Sequence, residues 1–185
     1  MAAVAKTTGS AAPRWVLGTA LALPVVLVAG VLIAAAVLRG QRPAPLHLAA
    51  IAAPAASSAE CTRLLAAVPA QLDGGLGRRE LAAPAPSGTV AWGDPAVVLR
   101  CGLPRPAQLT ATSRLLDVSR VQFLELPDLE SRSGPNTQGS STWVAVDRSV
   151  YVVVTLPAQA GSGPLQHLAE VIAQALPARA VDVPR

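Results

Sequence analysis

The sequence predicts an α+β fold: an antiparallel β-sheet of about five strands with two flanking helices on one face, preceded by an N-terminal transmembrane helix. Three observations predict it. Residues 15–38 form an apolar run of 24 residues with no charged side chain. Short β-rich runs separated by turn formers fill the middle of the chain. Apolar residues at helical spacing then bracket those runs on both sides, an order that argues for α+β with an antiparallel sheet.

The apolar run comes first. As a helix it would be roughly 36 Å long at 1.5 Å per residue, enough to cross a hydrocarbon core of about 30 Å with some tilt. Gly18, Pro24 and Gly30 are residue types that membrane helices tolerate. Trp15 stands at one interface, and Arg39 and Arg42 close the far end. A cleaved signal peptide is the competing reading, but its apolar region is usually about 7–15 residues. The length favours an uncleaved signal anchor.

Charge follows the same division. The whole chain carries a formal +4. Residues 1–42 hold Lys6, Arg14, Arg39 and Arg42 and no acid, while the remainder holds 11 Arg and 11 Asp or Glu. The entire excess therefore flanks the apolar run, where it serves topology and lipid headgroups. Nucleic-acid binding needs basic groups clustered on a folded face, so it is not expected. The expected partners are the lipid bilayer, through residues 15–38, and a second envelope protein.

The chain then divides into a basic tail (1–14), the transmembrane helix (15–38), an Ala/Pro-rich stalk (39–56), a folded domain (57–177) and a C-terminal tail (178–185). Pro43, Pro45 and Pro54 disfavour helix in the stalk and make it a semi-extended spacer. In the domain, Ser57 or Ser58 can cap a helix whose Cys61, Leu64, Leu65 and Val68 form one stripe, ending before Pro69. Gly74-Gly75-Leu76-Gly77 reads as a flexible turn. It lacks the glycine at position 80, and the preceding strand, that a phosphate loop would need.

Strands are expected at 89–92, 96–101 and 118–126, followed by a polar loop over 131–138. Residues 142–146 and 150–156 then form a hairpin around Asp147-Arg148-Ser149. Asp147 and Arg148 are read as hairpin-turn residues rather than as a ligand site. Leu165, Leu168, Val171, Ile172, Ala175 and Leu176 define the last helix, after Pro164 and before Pro177.

Cys61 and Cys101 are the only cysteines. Two readings stand side by side: buried free thiols in a reducing compartment, or one disulfide in an oxidising one. An even count behind an export signal favours the bridge, and with it an extracytoplasmic domain. No Cys-x-x-C and no Cys/His cluster is present, so neither a metal nor any other cofactor is expected.

Several of these stretches carry a family resemblance. They are 91–102 (AWGDPAVVLRCG) with Pro104, Cys61 within CTRLLAAVP, and 146–152 (VDRSVYV). Together they resemble a family of small single-span envelope proteins of high-GC Gram-positive bacteria, a domain of unknown function (number 3515). The resemblance covers roughly residues 15–177. It implies a membrane anchor, a cysteine pair matching Cys61 and Cys101, and no assigned activity. It also implies genes near that of a D-alanine–D-alanine ligase, which points to the cell wall. Phe123 stands where the family pattern leads one to expect Trp.

No catalytic residue can be assigned. Gly161-Ser162-Gly163 precedes a helix and is not a nucleophile elbow. A triad using His167 and Asp147 can be assembled only on paper. The most suggestive cluster is Trp92, Asp94 and Arg100, a candidate ligand site in which Trp92 stacks and Arg100 grips a carboxylate or phosphate. The plain alternative is structural, with Trp92 in the core, Asp94 organising a turn and Arg100 at a sheet edge. The sequence therefore leads to a membrane-anchored extracytoplasmic accessory or interaction protein of the cell envelope. The second reading is a small-ligand binder or hydrolase acting on cell-wall precursors.

Overall fold

The computed structural model describes residues 26–33, 43–126 and 139–183. The chain divides into two compact units, Met1–Pro43 and Ala44–Arg185.

In the first unit, residues 26–33 are helical. Val26, Leu27, Val28, Val31, Leu32 and Ile33 on that stretch are all exposed. The expected span over 15–38 lies mostly outside the described residues, as does the basic tail. Among the described residues no helix is long and apolar enough to cross a membrane.

The second unit is α+β. Its first helix, α1, spans Ala59–Ala67, and the Cys61 amide donates to Ser58 Oγ at 3.2 Å. That bond satisfies one of the amide donors a helix leaves free at its start. Val68 is extended ahead of Pro69, ending the helix where the sequence predicts.

Eight strands follow: β1 (Gln71–Leu72), β2 (Leu76–Arg79), β3 (Thr89–Trp92), β4 (Val97–Leu103), β5 (Leu115–Val118), β6 (Val121–Leu126), β7 (Ser141–Ala145) and β8 (Tyr151–Leu156). The second helix, α2, spans Gly163–Ala175. The sheet order is β1-β2-β3-β4-β8-β7-β6-β5, and every neighbouring pair is antiparallel. Two four-stranded meanders are thus joined through β4 and β8 at the centre.

The sheet is antiparallel as expected, but it has eight strands rather than about five. The stretch 118–126, expected as one strand, is cut by Ser119 and Arg120, whose φ values of 49° and 66° make a two-residue hairpin turn. The register closes Val118 on Val121. Left-handed backbone at both central positions is the geometry that matches strand twist in a tight hairpin. Ser-Arg lacks the Asn-Gly or Asp-Gly signature, so the turn was hidden in the sequence. Gly74 and Gly75, both at positive φ, turn β1 into β2. This segment is a hairpin rather than a flexible link.

Alternation sorts each strand's residues between the two faces. One row runs Cys101–Val152–Ala145–Phe123 across β4, β8, β7 and β6. All four are completely buried in the core shared with both helices, which contribute Leu64, Leu168, Ile172 and Leu176. Both helices therefore cover one face, as the sequence predicts. Phe123 fills its core position with carbon alone and asks for no hydrogen-bond partner.

Cys61 on α1 is bonded to Cys101 on β4, with Cα atoms 5.6 Å apart and a sequence separation of 40. Of the two sequence readings of the cysteines, the disulfide is the one found.

The opposite face is not open to water either. Leu109, Leu124, Leu126, Val144, Val146 and Val153 form a second buried cluster, rimmed by Leu103, Leu115, Tyr151, Val181 and Val183. Strand β4 is accordingly buried along six of its seven residues.

Two boundaries move as a result. The stalk was expected to run to residue 56, but from residue 44 onward the chain lies on the domain. Leu46 makes a parallel bridge with Leu81, and the Ala55 amide donates to Gly102 O at 3.1 Å. The Leu46 amide donates to Glu80 O and Leu46 O accepts from the Ala82 amide, both at 2.9 Å, while within the segment the Ala56 amide donates to Ala53 O, so an extended, Pro-containing stretch finds partners along the sheet. At the C-terminal side, Val181 and Val183 belong to the packed unit rather than to a free tail.

Gly102 makes the first of these contacts possible. It has φ +86° at a register shift in β4, and a Cβ there would come within 2.3 Å of Ala55 C and Ala56 N. Only glycine permits both that conformation and that approach.

Candidate functional site

Trp92 ends β3 and is completely buried. Its indole Nε1 donates to Pro69 O at 2.9 Å, tying the strand to the end of α1. Asp94 sits in the β3–β4 turn with a largely exposed side chain, 3.4 Å from Arg79 Nη1. Arg79 also donates through Nη1 to Gly93 O at 3.0 Å and through Nη2 to Ala44 O at 2.9 Å. This guanidinium therefore joins the turn to the start of the 44–56 segment. An ion pair as exposed as Asp94–Arg79 contributes little by itself.

Arg100 lies in the middle of β4, a central strand rather than the sheet edge the structural reading expected, and is 5 % exposed. Val97, Leu99 and Cys101 line the helix face together with Trp92. Strand alternation therefore puts Arg100 on the opposite face. Trp92 is paired with Val97, whereas Arg100 is paired with Thr89 on β3 and Val153 on β8. The structure does not bring Trp92, Asp94 and Arg100 together: one is in the helix-side core, one in an exposed turn, one under the other face. On that face Arg100 has polar company. Thr89 is directly opposite, and Thr155 is a diagonal neighbour whose own register partner is Thr142. Thr142 and Thr155 are both buried.

The structure also shows a buried polar cluster in a stretch that the sequence marks only as a hairpin turn. Asp147 and Arg148, in the turn between β7 and β8, are both buried. Arg148 Nη1 lies 2.7 Å from Asp147 Oδ2. The same nitrogen donates to Asp147 O at 2.9 Å, and Nη2 donates to Arg120 O at 2.8 Å. Asp147 O also accepts from the Arg179 amide at 2.8 Å. One guanidinium thus holds two hairpin turns together, beside the point where the C-terminal segment crosses. No sequence signal marked this pair, because an Asp-Arg-Ser turn has the composition of a solvated one.

His167 on α2 has Nδ1 3.1 Å from Asp73 Oδ1 in the β1–β2 turn. His167 is thus paired with Asp73, and Asp147 with Arg148. The combination of His167 with Asp147 considered from the sequence is not assembled. Among the described residues no group of three or more His, Cys, Asp or Glu could hold a metal ion.

Tyr151 stands at the rim of the second face. Burial, and secondarily the Asp182 carboxylate, raise the Tyr151 phenol above its ordinary value. Arg105, which bonds the phenol, pulls it the other way. Tyr151 is the only tyrosine in the chain, so absorbance near 295 nm reads this group alone. Its midpoint is expected above the ordinary value of about 10, and Asp182→Asn is expected to move it down. The folded state holds this proton more tightly than the unfolded chain does. The stability it contributes is therefore complete below pH of about 10 and lost as pH rises through the folded midpoint. A midpoint unchanged by urea unfolding would contradict this.

Residues 21–181 match a family model described as a protein of unknown function, DUF3515. No curated protein and no solved structure matches the chain. The match takes in both helices, all eight strands and the disulfide, and on that extent the chain belongs to the DUF3515 family.

Proposed function

We propose that this protein is a membrane-anchored extracytoplasmic accessory or interaction protein of the cell envelope. The observation that carries the reading is the Cys61–Cys101 disulfide, buried in the domain core behind a long uncharged apolar segment. Disulfides persist in oxidising compartments and are rare in the cytosol. The 24-residue uncharged run, with the whole positive excess flanking it, is the composition of a signal anchor. The exposed apolar side chains of the helical stretch 26–33 accord with a lipid environment.

The other reading, a small-ligand binder or hydrolase acting on cell-wall precursors, drew its pocket from Trp92, Asp94 and Arg100. With Trp92 and Arg100 on opposite sides of the sheet, it loses that geometric support.

Topology mapping in cells tests the proposal. Alkaline phosphatase fused after Arg185 should be active, and a fluorescent reporter that matures only in the cytosol should stay dark. The protein should remain in the membrane fraction after alkaline carbonate extraction. A bright cytosolic reporter, or release by carbonate, would overturn the reading.

A further inference from the structure

We infer that the second face of the sheet is a docking surface for an extended polypeptide segment of apolar–acidic–apolar pattern, occupied in this structure by the chain's own residues 178–183. The inference rests on the interaction reading above but not on the membrane anchor.

The surface is the buried cluster of Leu109, Leu124, Leu126, Val144, Val146 and Val153. The occupant is visible on it. Val181 and Val183 pack against the cluster half-buried, and Asp182 between them is exposed. This is how an extended segment binds: alternate side chains are taken up, and the one between stays outside. Residues 178–183 form neither helix nor strand. Among the described residues, one backbone hydrogen bond holds them, Arg179 N to Asp147 O. A segment secured by two half-buried valines and one such bond belongs to the part of a fold that opens at low cost.

The chemistry around it selects the occupant. Tyr151 stands on the same rim of the cluster as Val181 and Val183, and the chain's own segment carries the acid Asp182 between those two valines. A partner segment would present two β-branched residues separated by one acid. Because the chain's own segment is tethered, it competes at an effective concentration in the millimolar range for a short link. A partner must then exceed that competition, and removing the segment should uncover the surface.

The test uses purified full-length protein, the same chain ending after Pro177, and a fluorescein-labelled peptide copying residues 177–185 as probe. Anisotropy should show saturable binding to the shortened chain, at least tenfold tighter than to the full-length chain. Replacing both peptide valines by aspartate should abolish it, and changing the peptide's Asp182 to Asn should weaken it severalfold. If the shortened chain fails to fold, full-length V181S/V183S provides the same uncovered surface. Equal binding to full-length and shortened protein, or none to a folded shortened protein, would overturn the inference. So would self-association of the shortened chain in place of peptide binding, which would assign the face to a second copy. If neither variant folds, the segment is part of the fold and the inference falls. Cellular topology does not enter this assay, so it can fail while the envelope reading stands, and the reverse.

Discussion

Replacing Cys61 and Cys101 together by alanine is expected to lower the unfolding free energy by about 4 kcal/mol. The bridge joins residues 40 apart. Closing a loop of that length removes chain entropy from the unfolded state, which is the source of the figure. Both cysteines are completely buried, so loss of two sulfur atoms adds a packing cost in the same direction. The effect is large because of where the bridge sits. It fastens α1, a nine-residue helix that would be marginal alone, to the central strand β4. At about 4 °C per kcal/mol for a domain of this size, the melting temperature should fall by roughly 15 °C. Thermal and urea unfolding of the double variant, monitored by circular dichroism, measure it. A loss below about 1 kcal/mol would mean that the helix layer holds without its covalent tie. Buried sulfurs should also protect the bridge, so dithiothreitol should reduce it rapidly only after unfolding.

The parts of this fold legible in the sequence are those that repeat or punctuate. The α1 stripe and a serine cap at 57 or 58 were legible, as were the Pro164-to-Pro177 helix and the 142–156 hairpin, because periodicity and turn chemistry agree there. The buried strand β4 was legible from its β-branched run. Strands β1 and β2 were not: β1 has two residues, and β2 is Leu-Gly-Arg-Arg, without the β-branched and aromatic residues that mark β3. The hairpin at Ser119-Arg120 was hidden because its left-handed backbone is imposed by strand pairing, not by residues that favour it. The packing of 44–56 was missed for a related reason. Proline marks extended chain but does not say whether that chain runs free or along a sheet. In the candidate site, local spacing was misleading. Trp92 and Arg100 are eight residues apart, yet across a hairpin only register and parity decide whether two side chains meet, and here parity separates them.

The second large effect is expected at Asp147–Arg148, where the sequence suggested no more than a hairpin turn. Both side chains are almost fully removed from water, at 9 % and 2 % exposed. Taking one partner away leaves the other as an uncompensated buried charge. Arg148→Met should therefore cost about 3–5 kcal/mol, and Asp147→Asn somewhat less because an amide oxygen can still accept. Arg148→Met also leaves Arg120 O without its donor, so the β5–β6 turn should loosen together with the β7–β8 turn. Arg148→Lys should rescue only part of the loss. A single ammonium replaces the charge but not the planar fork that reaches Asp147 O, Asp147 Oδ2 and Arg120 O together. The decisive measurement is the double variant D147N/R148M. If the pair acts as a unit, its cost should fall short of the summed single costs by more than about 1 kcal/mol, since the second change removes a charge the first had stranded. Additive losses would show that the two residues support their turns independently. Losses below about 1 kcal/mol for each single variant would show that water reaches this corner and that the pair does not hold the two turns together.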